Sequence, residues 1–268
     1  MPKQNKLNKT EVNKIKARLF LENINQQNQQ KQVKILVTGD NFNYLINVLR
    51  LNILSRIIVF NGIEGSFLAE IDAIGKKSLE LKIIANICQP QPLGNIMLAF
   101  CLIKNTRIEY IASKATELGI ASFVPLISER TVVHSFNSDR FFANVKEASE
   151  QCGRNNLPTI QQPEKLTNFL AKNDDILLFC DERGGGKQAK LLLPTIDLGK
   201  KNIVILIGPE GGFTQQEHQI ISAANNSFAL NLGPRILRAE TATITAISLV
   251  QEFLGDFNLT ANTYAENY

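Results

Sequence analysis

The sequence predicts an α/β protein in two parts, a small β-barrel followed by a larger domain on a mostly parallel sheet. Three observations predict it. Short runs with near period-two alternation crowd the first third of the chain. A Pro/Gly-bearing stretch, Cys88-Gln89-Pro90-Gln91-Pro92-Leu93-Gly94, then interrupts the pattern as a linker would. Beyond it, continuous apolar runs alternate with helical spacing, as in strands buried on both faces and covered by helices.

The early elements follow in order. Val33-Lys34-Ile35-Leu36-Val37 ends at Gly39, and Arg56-Ile57-Ile58-Val59-Phe60 ends at Asn61-Gly62. Ser66-Phe67-Leu68-Ala69-Glu70-Ile71 and Leu79-Glu80-Leu81-Lys82-Ile83 continue the strand pattern. One helix interrupts them, with Phe42, Leu45, Ile46 and Leu49 at helical spacing. Short strands closed around one helix suggest a barrel.

In the second part Met97-Leu98-Ala99-Phe100-Cys101-Leu102 is the first buried strand. Ile108, Ile111, Ala112, Ala115 and Leu118 then mark a helix stopped by Gly119. Ser122-Phe123-Val124-Pro125-Leu126-Ile127 is another strand, with irregularity expected at Pro125. Ile176-Leu177-Leu178-Phe179-Cys180 and Ile203-Val204-Ile205-Leu206-Ile207 are two more. No internal repeat is present.

Chemistry is expected where such strands end. Ile207-Gly208-Pro209-Glu210-Gly211-Gly212-Phe213-Thr214 joins a buried strand to a helix, and Thr214 with Glu217 forms a T-x-x-E capping box. Glycines there let a ligand approach the backbone, and open parallel sheets bind ligands at such ends. An ordinary strand-to-helix turn is the competing reading. Phe228-Ala229-Leu230-Asn231-Leu232 repeats the logic, followed by Gly233-Pro234-Arg235-Ile236-Leu237-Arg238-Ala239-Glu240 and a helix ending at Gly255. Arg238 and Glu240 read either as a structural ion pair or as part of the site. Neither G-x-G-x-x-G nor a phosphate loop occurs, and Gly184-Gly185-Gly186-Lys187 reads as a flexible surface loop.

Composition excludes several classes. The 268 residues are 44% apolar, enough for a sizeable core. No apolar run approaches the ~18 residues of a spanning helix, and Met1-Pro2-Lys3-Gln4-Asn5-Lys6 lacks a signal-peptide core, so a cytoplasmic protein without membrane partners is expected. Four cysteines without C-x-x-C and two separated histidines argue against disulfide scaffold and metal site alike. Residues 1–35 hold eight Lys or Arg and two acids, a local +6 within a net +4, so the remainder sums to −2. Residues 1–16 read either as a phosphate-binding basic arm or as a flexible, solvated tail.

Taken together, these residues resemble one family. G-P-E-G-G-F at 208–213 and L-G-P-R-I-L-R-A-E-T-A at 232–242 look like signatures of the SPOUT methyltransferases of the RsmE type. Lys104, Lys114-Ala115-Thr116-Glu117-Leu118-Gly119, Ser128-Glu129-Arg130, Glu150-Gln151-Cys152-Gly153-Arg154 and Asn47-Val48-Leu49-Arg50-Leu51 fall in the family's order. The match covers roughly residues 17–255. One departure is Asn43-Tyr44, where the family often has a histidine pair before V-L-R.

The resemblance implies a PUA-like RNA-binding β-barrel over residues 17–88 and a trefoil-knotted methyltransferase domain over 95–256. It implies a homodimer that methylates N3 of a uridine in 16S rRNA of the 30S subunit, using S-adenosylmethionine. The donor would rest on Ile207, Gly208, Pro209, Glu210, Gly211, Gly212, Leu232, Gly233, Ile236, Leu237 and Arg238. Loss of the N3 proton spreads charge onto the flanking oxygens, and a positioned arginine can stabilise that anion. Arg18 and Arg130 are the catalytic candidates, and Arg18, Arg50, Arg130 and Arg154 the RNA-binding ones. Phosphate binding is the competing role for each arginine, and no residue stands out as the base. Another SPOUT enzyme, acting on a ribose hydroxyl or a tRNA base, and a non-catalytic RNA-binding protein are the alternatives.

Overall fold

A computed structural model of the chain describes residues 12, 15, 17–22, 24, 34–133 and 135–258. Apart from residues 12 and 15, the tail expected over 1–16 lies outside the described residues, as does His134. The chain divides into two compact units. Among the described residues, the first holds those up to 92 with 150–156, and the second holds 93–149 and those from 157 onward.

In the first unit, β1 (Arg18–Phe20), β2 (Lys34–Thr38), β3 (Arg56–Phe60), β4 (Ser66–Ile74) and β5 (Ser78–Cys88) form one sheet in the order β1-β3-β4-β5-β2. Only β1 runs parallel to its neighbour, pairing Arg18 with Ile58. The expected barrel takes the form of a curled half-barrel, with β1 and β2 as its edges. Three register shifts between β4 and β5 supply the curl, because each bulge bends the strand that carries it. Helix α1 (Gly39–Asn43) continues as a π-turn over Tyr44–Val48. It sets Leu45 into the sheet's core with Leu19, Ile57, Val59, Ile71 and Leu81.

Residues 150–156 are fastened into this unit by polar side chains. Arg18 donates from one guanidinium nitrogen to Asn155 Oδ1 at 2.7 Å and to Arg154 O at 3.0 Å, and stacks over the Phe60 ring. Asn155 donates to Cys88 Sγ, while Glu150 accepts from Phe20 N at 2.8 Å.

The second unit is built on β6 (Ile96–Cys101), β7 (Ser122–Ile127), β8 (Thr159–Ile160), β9 (Glu164–Lys165), β10 (Ile176–Cys180), β11 (Lys187–Gln188), β12 (Ile203–Ile207) and β13 (Ser227–Asn231). The order is β11-β13-β10-β12-β6-β7-β8, with β9 also on β7, and every pairing is parallel. Side chains alternate between two buried clusters, so the runs that looked continuous serve both faces. Ile96, Leu98 and Phe100 pack on one side with helices α2 (Asn105–Glu117), α3 (Ser138–Cys152) and α7 (Ala239–Leu254), along with the short α5 (Ala189–Leu192). Ala99 and Cys101 pack on the other with α4 (Leu166–Lys172) and α6 (Gln215–Ala223).

The glycines that end α2 and α7 meet at one side chain. A Cβ on Gly119 would lie 2.6 Å from Gln251 Nε2, and one on Gly255 1.9 Å from Gln251 Oε1. Buried Gln251 donates to Leu118 O at 2.6 Å and accepts from Asp256 N at 2.9 Å, joining the two helix ends.

Pro125 does not break β7, which stays in register with β6 through Phe100. Phe123 O accepts from Gln161 N on the outer side, whereas Leu126 O accepts from Leu102 N on the β6 side. Period-two alternation turns Pro125 outward, into the gap between β8 and β9, where its missing N–H costs no bond to β6. Gly184 and Gly185 are exposed in a turn, as a surface loop would be, but the rest of Gly184-Gly185-Gly186-Lys187 is not free. Gly186 lies against β13, where a Cβ would meet Ala229 O at 2.8 Å, and Lys187 begins the edge strand β11.

Candidate active site at the strand ends

β13, β10 and β12 are neighbours, so their C-terminal ends deliver three loops to one place. A cavity of about 220 Å³ opens there. Its walls are residues 179–183 after β10, 207–210 with Gly212 and Phe213 after β12, and 236–239 before α7. Arg107, His218 and Ala242 complete it.

The middle loop is fixed from within. Gly212 N donates to Pro209 O at 2.9 Å, closing a turn that puts Gly212 at φ +65°. A Cβ on Gly212 would lie 1.8 Å from the Glu182 carboxylate, and one on Gly208 3.0 Å from the buried Phe213 ring. Gly212 is therefore favoured by its positive φ, and a Cβ at Gly208 would have to push the Phe213 ring aside by a few tenths of an ångström. The capping box at Thr214 is formed in full, with Glu217 N donating to Thr214 Oγ1 and Thr214 N donating to Glu217 Oε2.

Charge is concentrated around the cavity. Arg107, in the first turn of α2, pairs with Glu210 and approaches Glu240 at 3.9 Å. The ion pair at the start of α7 is thus made by Arg107, while Arg238 is exposed. Buried Asp181 accepts from Arg183 N and Gly185 N, both at 2.9 Å, and stands 3.4 Å from His218 Nε2. Arg183 donates to Phe213 O at 3.0 Å, tying the first loop to the second. Burial pushes the Cys180 thiol up to about 12, so this wall holds no thiolate nucleophile at neutral pH.

Of the donor residues expected from the sequence, Ile207, Gly208, Pro209, Glu210, Gly212, Ile236, Leu237 and Arg238 line the cavity, and Gly211, Leu232 and Gly233 do not. Sequence reasoning missed Arg107 and the Asp181-Glu182-Arg183 wall. The available signal was a third buried strand ending in charge.

The arginine candidates fall in different surroundings. Arg18 is engaged with Asn155 and Arg154 O, and the buried Arg154 guanidinium donates to Asn156 Oδ1. Arg50 is exposed, at φ +54°. Exposed Arg130 lies along the middle loop and donates to Gly211 O at 2.9 Å. Among the described residues no group of three or more His, Cys, Asp or Glu could hold a metal ion.

Comparison with known proteins assigns this architecture. Residues 89–251 match the family model for an RNA methyltransferase domain, and 37–84 match that for an RNA methyltransferase PUA domain. Fold and cleft therefore define an RNA methyltransferase. The ribosomal RNA small subunit methyltransferase E of Rickettsia conorii is 34% identical over 81% of this chain and 88% of its own length. The Bacillus subtilis protein of the same name is 28% identical over 87% and 95%. The Neisseria gonorrhoeae enzyme of that name, solved bound to S-adenosyl methionine, superposes with a TM-score of 0.77 at 30% identity, covering 90% of this chain and 99% of the other. The chain belongs to the ribosomal RNA small subunit methyltransferase E family.

Proposed function

We propose that this chain transfers the methyl group of S-adenosylmethionine to N3 of a uridine in 16S rRNA, on the assembled 30S subunit and as a cytoplasmic homodimer. The observation that carries the reading is the cavity at the ends of β10, β12 and β13, in a family with a relative solved on this donor. The residues fit that donor. Gly208 and Gly212 leave bare backbone at the wall, and Glu210 and Asp181 supply negative charge for a sulfonium. When bound, the donor supplies an electrophilic methyl group. In this reading the loops at 207–213 and 231–238 hold it by backbone groups, with Gly211, Leu232 and Gly233 behind the wall, along a trefoil-knotted path.

Arg130 is the residue best placed to face the base. It is exposed, it lies against the donor loop, and one N–H on Gly211 O leaves others for the oxygens beside N3. Arginine stays protonated and serves as anion stabiliser, not as base. Arg50 contacts RNA, while Arg18 and Arg154 act mainly by shaping the 150–156 segment.

The dimer rests on exposed apolar residues in the second unit: Val132, Ile236, Phe253 and Phe257. α7 itself leaves little apolar surface for a partner, since Ile247 and Val250 are core and Leu249 and Leu254 pack against it. Sedimentation should still give twice the 29.8 kDa chain mass. Cytoplasmic location is supported by the described helices, none long and apolar enough to cross a membrane.

The test is methyl transfer from labelled donor to 30S subunits, naked 16S RNA and tRNA, followed by nucleoside identification. N3-methyluridine, with 30S subunits preferred, is expected. Methylated ribose, methylguanosine or a preference for tRNA overturns the assignment.

A further inference from the structure

The capping-box carboxylate does more than cap its helix. Glu217 is buried, and only its Oε2 serves the box, accepting from Thr214 N at 2.9 Å. Its Oε1 accepts from Glu129 N at 2.8 Å, 88 residues away in the chain. Glu129 belongs to a turn that is tied to itself. Ser128 N donates to Thr131 Oγ1 at 2.9 Å, the two hydroxyls are 2.8 Å apart, and Thr131 N donates to Ser128 O. With Ser128 and Thr131 buried, the turn moves as one piece. The next residue, Arg130, is the one that reaches Gly211 O.

We infer that Glu217 is a positioning residue that holds the Ser128–Thr131 turn, and through it Arg130, against the 207–214 loop. The geometry favours a carboxylate. Two N–H donors from two separate loops face its two oxygens, and glutamine would present an amide N–H to one of them. Helix capping alone would need one oxygen and local partners. The inference rests on the reading of Arg130 as the base-facing arginine.

The experiment is a double-mutant cycle on turnover at saturating donor and 30S subunits, using Glu217→Gln, Arg130→Ala and the pair. Glu217→Gln should lower turnover about tenfold, since small misplacements near a reacting group are costly. Arg130→Ala should lower it at least as far, and the pair should fall no more than about twofold below Arg130→Ala alone. Thr214→Ala removes the side-chain cap but keeps both carboxylate bonds, so its melting temperature should fall while its turnover falls less than that of Glu217→Gln. Should Glu217→Gln fail to fold, Glu217→Asp keeps the charge, withdraws the carboxylate by one methylene and enters the same cycle. Multiplying effects in the pair, or Thr214→Ala as damaging as Glu217→Gln, would overturn the positioning role while sparing Arg130. Unchanged turnover in Arg130→Ala would overturn both.

Discussion

Replacing Gly212 with alanine separates backbone strain from side-chain crowding in the cavity wall. At φ +65° a residue with Cβ pays about 1–2 kcal/mol for the left-handed conformation. The new methyl would also lie 1.8 Å from Glu182 Oε1, so that carboxylate must swing out of the wall. The crowding can be relieved, because the colliding atom ends a flexible side chain. The strain can be relieved only by opening the turn and giving up the Gly212 N bond to Pro209 O.

The melting temperature should fall by about 2–8 °C. Donor affinity measured by calorimetry should fall at least about tenfold, or about 1.4 kcal/mol. Adding Glu182→Ala removes the collision but not the strain, so it should recover only part of the loss. Gly211→Ala is the control. Its Cβ would sit 3.5 Å from Arg130 Cβ, an ordinary contact without positive φ, and donor affinity should stay within about twofold. Wild-type melting and affinity in Gly212→Ala, or Gly211→Ala as the worse variant, would refute this account of the loop.

Three further outcomes follow from burial. Gln251→Leu leaves Leu118 O and Asp256 N without their partner and should cost about 1–3 kcal/mol in urea unfolding, so an unmoved midpoint would contradict the joint at the helix ends. At pH 8 a thiol reagent should modify exposed Cys152 first and half-buried Cys180 more slowly, with buried Cys88 and Cys101 waiting for unfolding. Burial pushes Cys101 and Cys180 up to about 12 from an ordinary 9.0. Above pH 9 the unfolded chain therefore loses protons that the folded chain keeps, and stability should decline with rising pH. A flat stability profile between pH 9 and 11 would refute it.

What was legible in the sequence was local. The buried strands announced themselves as apolar runs, the Thr214–Glu217 box by its spacing of three, and the ends of α2 and α7 by Gly119 and Gly255. The cavity loop after β12 was legible because glycines at a strand end have a physical reason to be there. Partners far apart in the chain were not. Nothing near Glu129 marks it as a donor to Glu217, and nothing near Arg107 marks Glu210 and Glu240 as its partners. Those pairings depend on strand order, which places β10 between β12 and β13 and so brings the Asp181-Glu182-Arg183 segment to the cavity. Gly186 misled for the same reason. The run it ends has the composition of a flexible loop, and only the close approach to Ala229 O shows why glycine is needed at 186.

The outward Pro125 has a consequence for how the far side of β7 can be covered. β8 and β9 pair with β7 through two residues each, and Pro125 falls between the two pairings, buried along with Val124. Any other residue there would point a backbone N–H out of water at a place where neither short strand is in register with it, and a buried donor left unpaired costs about 1–3 kcal/mol. Proline carries no such donor, so the chain can close over β7 where its ladder lapses.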